Sequence, residues 1–106
     1  MGYYSDIVIA IKKEVLVSNL INKEIPECLG APTSTTDTAA YYYISGWKWY
    51  ASYPEIQELE TWFDSLEHEE FGVIRMGEDA NDVQEWGSPY DFDIHVNRSL
   101  TYPGED

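Results

Sequence analysis

Residues Ile7-Val-Ile-Ala-Ile11 form an unbroken apolar run rich in β-branched side chains. A strand with one wet face alternates polar and apolar residues; this run has no polar phase, so it reads as a strand buried on both sides. From Lys12 to Glu24 the period changes to that of a helix. Leu16, Val17, Leu20 and Ile21 make one apolar stripe, with Lys13, Glu14, Asn19, Asn22 and Lys23 mostly outside it. Pro26 stops this helix or restarts it as a short turn through Leu29, and Gly30 closes it.

Residues 30–38 are Gly, Ala, Pro, Thr, Ser and Asp, the composition of a flexible loop. Tyr41 to Tyr50 reads as one or two strands, with Gly46 as a bulge or turn. Ser52-Tyr-Pro-Glu55 is a helix start: Ser52 can cap, Glu55 can reach back, and Pro54 suits the first turn. Ile56, Leu59, Trp62, Phe63 and Leu66 form the buried stripe of that helix. Phe71 to Met76 is a further strand, and Gly77 to Trp86 an acidic loop or short helix. Gly87-Ser-Pro89 turns the chain. Tyr90, Phe92, Ile94 and Val96 then alternate with Asp91, Asp93, His95 and Asn97, which predicts a strand with one wet face.

The expected architecture is one α+β domain over residues 1–106. It has a mostly antiparallel sheet of four or five strands with two helices packed on one face, in the order β-α-β(β)-α-β-β. With 16 aromatics in 106 residues the chain can build a core, which acidic disordered tails cannot.

Charge narrows the function. Residues 54–106 carry fifteen acids against two bases, whereas residues 1–53 carry five against four. Such a single-sign field strains the compact state, so its retention points to a use, unless it serves solubility or life in high salt. It repels phosphate, which argues against binding nucleic acid or an anionic membrane directly. A cationic partner fits: a basic protein that itself binds nucleic acid. Glu60, Asp64 and Glu67 are spaced by four and three, so on a helix they share a face, and no Lys or Arg lies in that helix to pair with them. Asp91 and Asp93 would point the same way ~6.6 Å apart along a strand, about two phosphate steps of ~3.4 Å. Glu70, Asp82 and Glu85 lie between these groups. The eight carboxylates are the candidate partner-binding residues, and together they can imitate the charge of a duplex; the plain alternative is a solvated acidic face.

Other chemistries are less well supported. Glu78, Asp79, Asn81, Asp82 and Glu85 offer hard oxygen ligands for calcium or magnesium, but counted from Asp79 the sixth position is Gln84 where an EF-hand needs glycine. No metal and no cofactor is assigned. His68 and His95 are the only histidines, and no phosphate loop, nucleophile elbow or zinc motif occurs, so no catalytic residue is assigned and the chain reads as a non-enzyme. Arg75 and Arg98 fall on the apolar phase of their strands and read as counter-ions for acids such as Glu78 or Asp79. The aromatic residues Tyr41-Tyr-Tyr43, Trp47, Trp49, Tyr50 and Tyr53 either roof the core or leave an exposed interface, which would also suit a homodimer. The single Cys28 excludes an internal disulfide, Met1 to Asp6 lacks the basic start of a signal peptide, and the longest apolar run is too short to span a bilayer; the expected location is cytoplasmic.

Four stretches carry a likeness: Ser5-Asp-Ile-Val-Ile-Ala-Ile11; Lys48-Trp-Tyr50 with Tyr53-Pro-Glu55; Phe71-Gly-Val-Ile-Arg-Met-Gly-Glu-Asp79; and Phe92-Asp-Ile-His-Val-Asn-Arg98. Together they resemble a group of small, uncharacterised proteins of tailed phages and prophages. The resemblance implies a phage-encoded accessory protein working in a host bacterial cell. It also implies kinship with small acidic anti-defence inhibitors, including anti-CRISPR and anti-restriction DNA mimics. The expected function is therefore inhibition of a basic, nucleic-acid-handling host protein such as a defence nuclease or CRISPR effector. The alternatives are an immunity protein against a basic nuclease toxin, a divalent-metal-binding protein and a self-associating structural protein.

Overall fold

The structure, a computed structural model, describes residues 4–21, 29–50, 52–79, 81–96, 100–101 and 103. Cys28, Asn97 and Arg98, and the side chains of Leu20, Ile21 and His95, lie outside the described residues. The elements are β1 (Ser5–Lys12), α1 (Lys13–Ile21), β2 (Ser34–Thr35), β3 (Ala39–Trp47), α2 (Pro54–Ser65), β4 (Phe71–Met76), β5 (Val83–Gly87), β6 (His95–Val96) and β7 (Leu100–Thr101). Two 3-10 turns, His68–Glu70 and Pro89–Phe92, flank β4 and β5. The fold is α+β, with a five-stranded antiparallel sheet in the order β2-β3-β1-β4-β5.

The apolar run becomes the central strand. Ile7, Ile9 and Ile11 face one layer and Val8 and Ala10 the other, and all five are at most 1% exposed. Burial of each such isoleucine contributes about 1.5–3 kcal/mol. The odd face packs beneath both helices, against Leu16 of α1 and Ile56, Leu59, Trp62 and Phe63 of α2. No described α-helix lies on the even face. Tyr41, Ile74, Phe92 and Ile94 cover it, the last two supplied by the chain after β5.

That cover corrects the expectation of a strand over 90–97. Pro89 opens a 3-10 turn, and Asp93 adopts the left-handed conformation (φ 60°) that reverses the chain. Among the described residues of this stretch only His95 and Val96 form a strand, and they pair with β7 instead of joining the main sheet. Phe92 and Ile94 are buried as their phase predicts, while Tyr90 is 54% exposed. Covering a sheet face requires the chain to cross the strands, which a further ladder strand would not do.

Other local readings shift too. Residues 83–87, expected as loop or helix, form the edge strand β5. The 30–38 stretch is held from Thr33 onward: Ser34 and Thr35 pair with Tyr41 and Ala40, and the Thr33 N–H donates to the Tyr41 carbonyl at 2.7 Å. β3 is one strand, irregular where Gly46 takes a positive φ of 69°. Tyr53, not Ser52, is the N-cap of α2, with Pro54 in the first turn as expected. In α1, Val17 is 53% exposed, while Asn19 is buried. Asn19 Oδ1 accepts the Trp62 indole N–H at 3.0 Å, and its Nδ2 donates to the Val15 carbonyl at 2.8 Å. A buried indole needs such an acceptor, so the polar residue turns inward. The aromatic segment is mainly core: Tyr41 and Tyr42 are buried on opposite faces, and Trp47 and Trp49 pack edge to face at 5.3 Å.

Arg75 is buried on the helix-side face and serves as a counter-ion, pairing with Asp82 at 2.6 Å. The β4–β5 register sets Arg75 opposite Gln84, which puts Asp82 diagonally across on the same face. The guanidinium also donates to Gln84 Oε1 and Ser5 Oγ, each at 2.7 Å.

The Pro89 backbone sits directly over Gly72 of β4, in the space a side chain would fill. Gly72→Ala should therefore lift the Pro89–Phe92 turn from the sheet and lower stability by about 1–3 kcal/mol. A urea-unfolding midpoint shift of the corresponding size checks this.

Candidate acidic interface

The residues before β4 and after β5 meet at one end of the sheet. The Ser88 N–H donates to the Phe71 carbonyl at 2.9 Å, and the Ser88 hydroxyl to the His68 carbonyl at 3.1 Å. This seam brings Glu67, Glu69 and Glu70 to the end that also carries Asp91 and Asp93. The ends of β1 and β3 add Lys12, Lys13, Glu14 and Asp37, because Lys12 pairs with Ala39. The result is an open groove of about 900 Å³, in which five carboxylates (Glu14, Asp37, Glu69, Asp91 and Asp93) face two lysines. Of these, Glu14, Asp37 and Glu69 lay outside the sequence-based candidates. Only the pairing register reveals that they join the group.

The eight candidates divide. Asp91 and Asp93 line the groove, but the turn replaces the strand, so the ~6.6 Å strand spacing does not describe them. Glu67 lies past the end of α2, so it does not share a helical face with Glu60 and Asp64. Instead Glu67 and Glu70 form a capping box: each side chain accepts the other's backbone N–H. Glu85 lies on β5 and accepts the Tyr90 hydroxyl at 2.7 Å. Asp82 is engaged by Arg75 at the far end of the sheet, where Glu78 accepts the Tyr4 N–H. The carboxylates thus form two ends and an edge, not one face.

At the near end the charges stand largely without internal partners. Among the described residues, no side-chain hydrogen bond or ion pair reaches the carboxylates of Glu60, Asp64, Glu69, Asp91 or Asp93. Asp64 sits in the last turn of α2, which holds no basic residue. Helix carbonyls make that end negative, so an acid there opposes the macrodipole. Asp64→Lys should raise stability by about 0.3–1 kcal/mol, measured as a higher denaturation midpoint at low salt.

Tyr41 forms part of the groove wall, and its hydroxyl donates to the Phe92 carbonyl at 2.8 Å. Burial raises its pKa above the usual 10, and the Asp93 charge adds to the rise. The folded protein thus holds this proton to higher pH than the unfolded chain. Its stabilising share is complete below pH 10 and is lost as pH climbs through the raised folded value. Tyr41→Phe should cost about 0.5–1.5 kcal/mol at neutral pH from the lost hydrogen bond. It should also soften the alkaline decline, a comparison made by urea unfolding at pH 8 and pH 11.

Among the described residues no group of three or more His, Cys, Asp or Glu side chains is placed to hold a metal ion. Asp79, in the loop considered for metal, accepts the Asn81 N–H at 3.0 Å. No described helix is long and apolar enough to cross a membrane. No family model matches the chain, and no curated protein or solved structure matches it either.

Proposed function

We propose that the chain is a phage-type inhibitor that occupies the nucleic-acid channel of a basic host protein with its acidic end. It acts by binding and not by catalysis. The observation that carries the reading is the gathering of Glu69, Asp91 and Asp93, beside Glu67 and Glu70, at one end of the sheet with few internal counter-charges. Carboxylates left unpaired at a helix C-terminus and beside one another weaken the fold, and a cationic partner relieves both strains at once. Charge of this density steers association and releases counterions from the partner, as DNA does. The support is one of charge density and not of strand spacing, since Asp91 and Asp93 lie in and at the end of a 3-10 turn. The likeness to small phage proteins supplies the biological setting: a bacterial host cell whose defence nuclease or CRISPR effector is the partner.

The test is capture of the partner from host-cell lysate on the tagged protein, followed by competition. One nucleic-acid-binding protein should be retained at low salt, released at high salt and displaced by duplex DNA. The combined variant Asp64→Lys, Glu69→Lys, Asp91→Lys and Asp93→Asn should lower its affinity at least 100-fold, while each single change costs less than tenfold. Retention of the partner by the combined variant, or indifference to DNA, defeats the proposal.

A further inference from the structure

The outer edge of β5, with which no described strand pairs, is the second feature that points outward. In the β4–β5 ladder the pairs Gly77–Asp82 and Phe71–Ser88 are hydrogen-bonded. Antiparallel pairs alternate, so Arg75–Gln84 and Val73–Trp86 are bonded as well. The backbone N–H and C=O groups of Val83 and Glu85 therefore point away from the sheet, and no described strand lies beyond them. The register runs unbroken from Gly72–Gly87 to Met76–Val83, and the strand contains neither proline nor lysine. Three of the usual blunting devices, bulge, proline and edge lysine, are thus absent, and Glu85 is the one charged residue on the strand. The opposite edge is different, because there a two-residue strand covers part of β3 and the rest is bent at Gly46.

The side chains beside this edge choose the occupant. Glu85 is exposed and points to the face that carries Tyr90, whose hydroxyl donates to the Glu85 carboxylate at 2.7 Å. An exposed carboxylate on an edge strand suits a guanidinium or ammonium group. Acids also flank the strand, with Asp82 at one end and Glu69 and Glu70 towards the other. A second copy is the wrong occupant. Antiparallel self-pairing centred on Glu85 would oppose two like charges in chains of net charge −14.

We propose that β5 accepts an extended, cationic segment of a partner protein as a sixth strand, with Glu85 taking one of its basic side chains. This contact is read from backbone pairing, and it does not rest on the proposed role of the acidic end. The probe is a capped octapeptide of alternating arginine and threonine. Its control has identical charge but every amide methylated, so it cannot pair with an edge. The unmodified peptide should bind at least tenfold more tightly by fluorescence anisotropy. It should also slow amide hydrogen exchange at Val83 and Glu85 at least tenfold by NMR. Glu85→Gln should weaken binding severalfold while the two amides remain protected at saturation. Equal binding of both peptides with unchanged exchange would reduce the interaction to charge attraction and overturn the proposal. So would binding by neither peptide, unchanged affinity in Glu85→Gln, or protection that appears without peptide and grows with protein concentration. None of those results bears on the charge-reversal experiment at the acidic end.

Discussion

Everything in this fold answers to a central strand that cannot tolerate water on either side. β1 is flanked by β3 and β4 and buried on both faces. One face is covered conventionally by two helices. The other is covered by a turn and a short crossing segment, which among the described residues bring Phe92 and Ile94 against Val8, Ala10, Tyr41 and Ile74, while β7 also approaches β1. The lid lies close, because the absence of a side chain at Gly72 lets the Pro89 backbone approach the sheet. The Tyr41 hydroxyl and the Ser88 hydrogen bonds then fasten the lid at both ends. The acidic end is a by-product of this closure, because the residues that fasten the lid are neighbours of Asp91, Asp93, Glu69 and Glu70.

The charges are handled in two ways. At the far end of the sheet they are absorbed internally. Arg75 is almost wholly buried and takes Asp82, Gln84 and Ser5 together, a geometry in which an arginine's planar fork outperforms a lysine. At the near end they are left facing solvent beside two lysines. The contrast within one small sheet separates acids that serve the fold from acids that do not.

What was legible in the sequence follows the range of the signal. β1 and the buried stripe of α2 are written in local periods, and Ile7 to Ile11 and Ile56, Leu59, Trp62 and Phe63 are buried accordingly. Both helices do lie on one face. β5 was hidden because an edge strand of Gln, Glu and Trp shows no apolar alternation. The 90–97 segment misled because period two marks which residues are buried but not whether they pair in a ladder; Pro89 and the left-handed Asp93 decide that. At the site, spacing alone put Glu60, Asp64 and Glu67 on one face, but the helix stops at Ser65. Asp82 was counted as available because its engagement by Arg75 depends on a register that only the β4–β5 pairing supplies.

The last turn of α2 has a consequence for ionic strength. Mutual repulsion among Asp64 and the nearby glutamates acts across solvent, where the screening length is about 8 Å at physiological salt and ~3 Å at 1 M. Added salt thus relaxes the folded molecule while it weakens any attraction between this surface and a cationic one. Folding and association respond to the same ions with opposite sign. The conditions in which the free protein is most robust are those in which the proposed cationic partner would be held least, and dilute buffer reverses both.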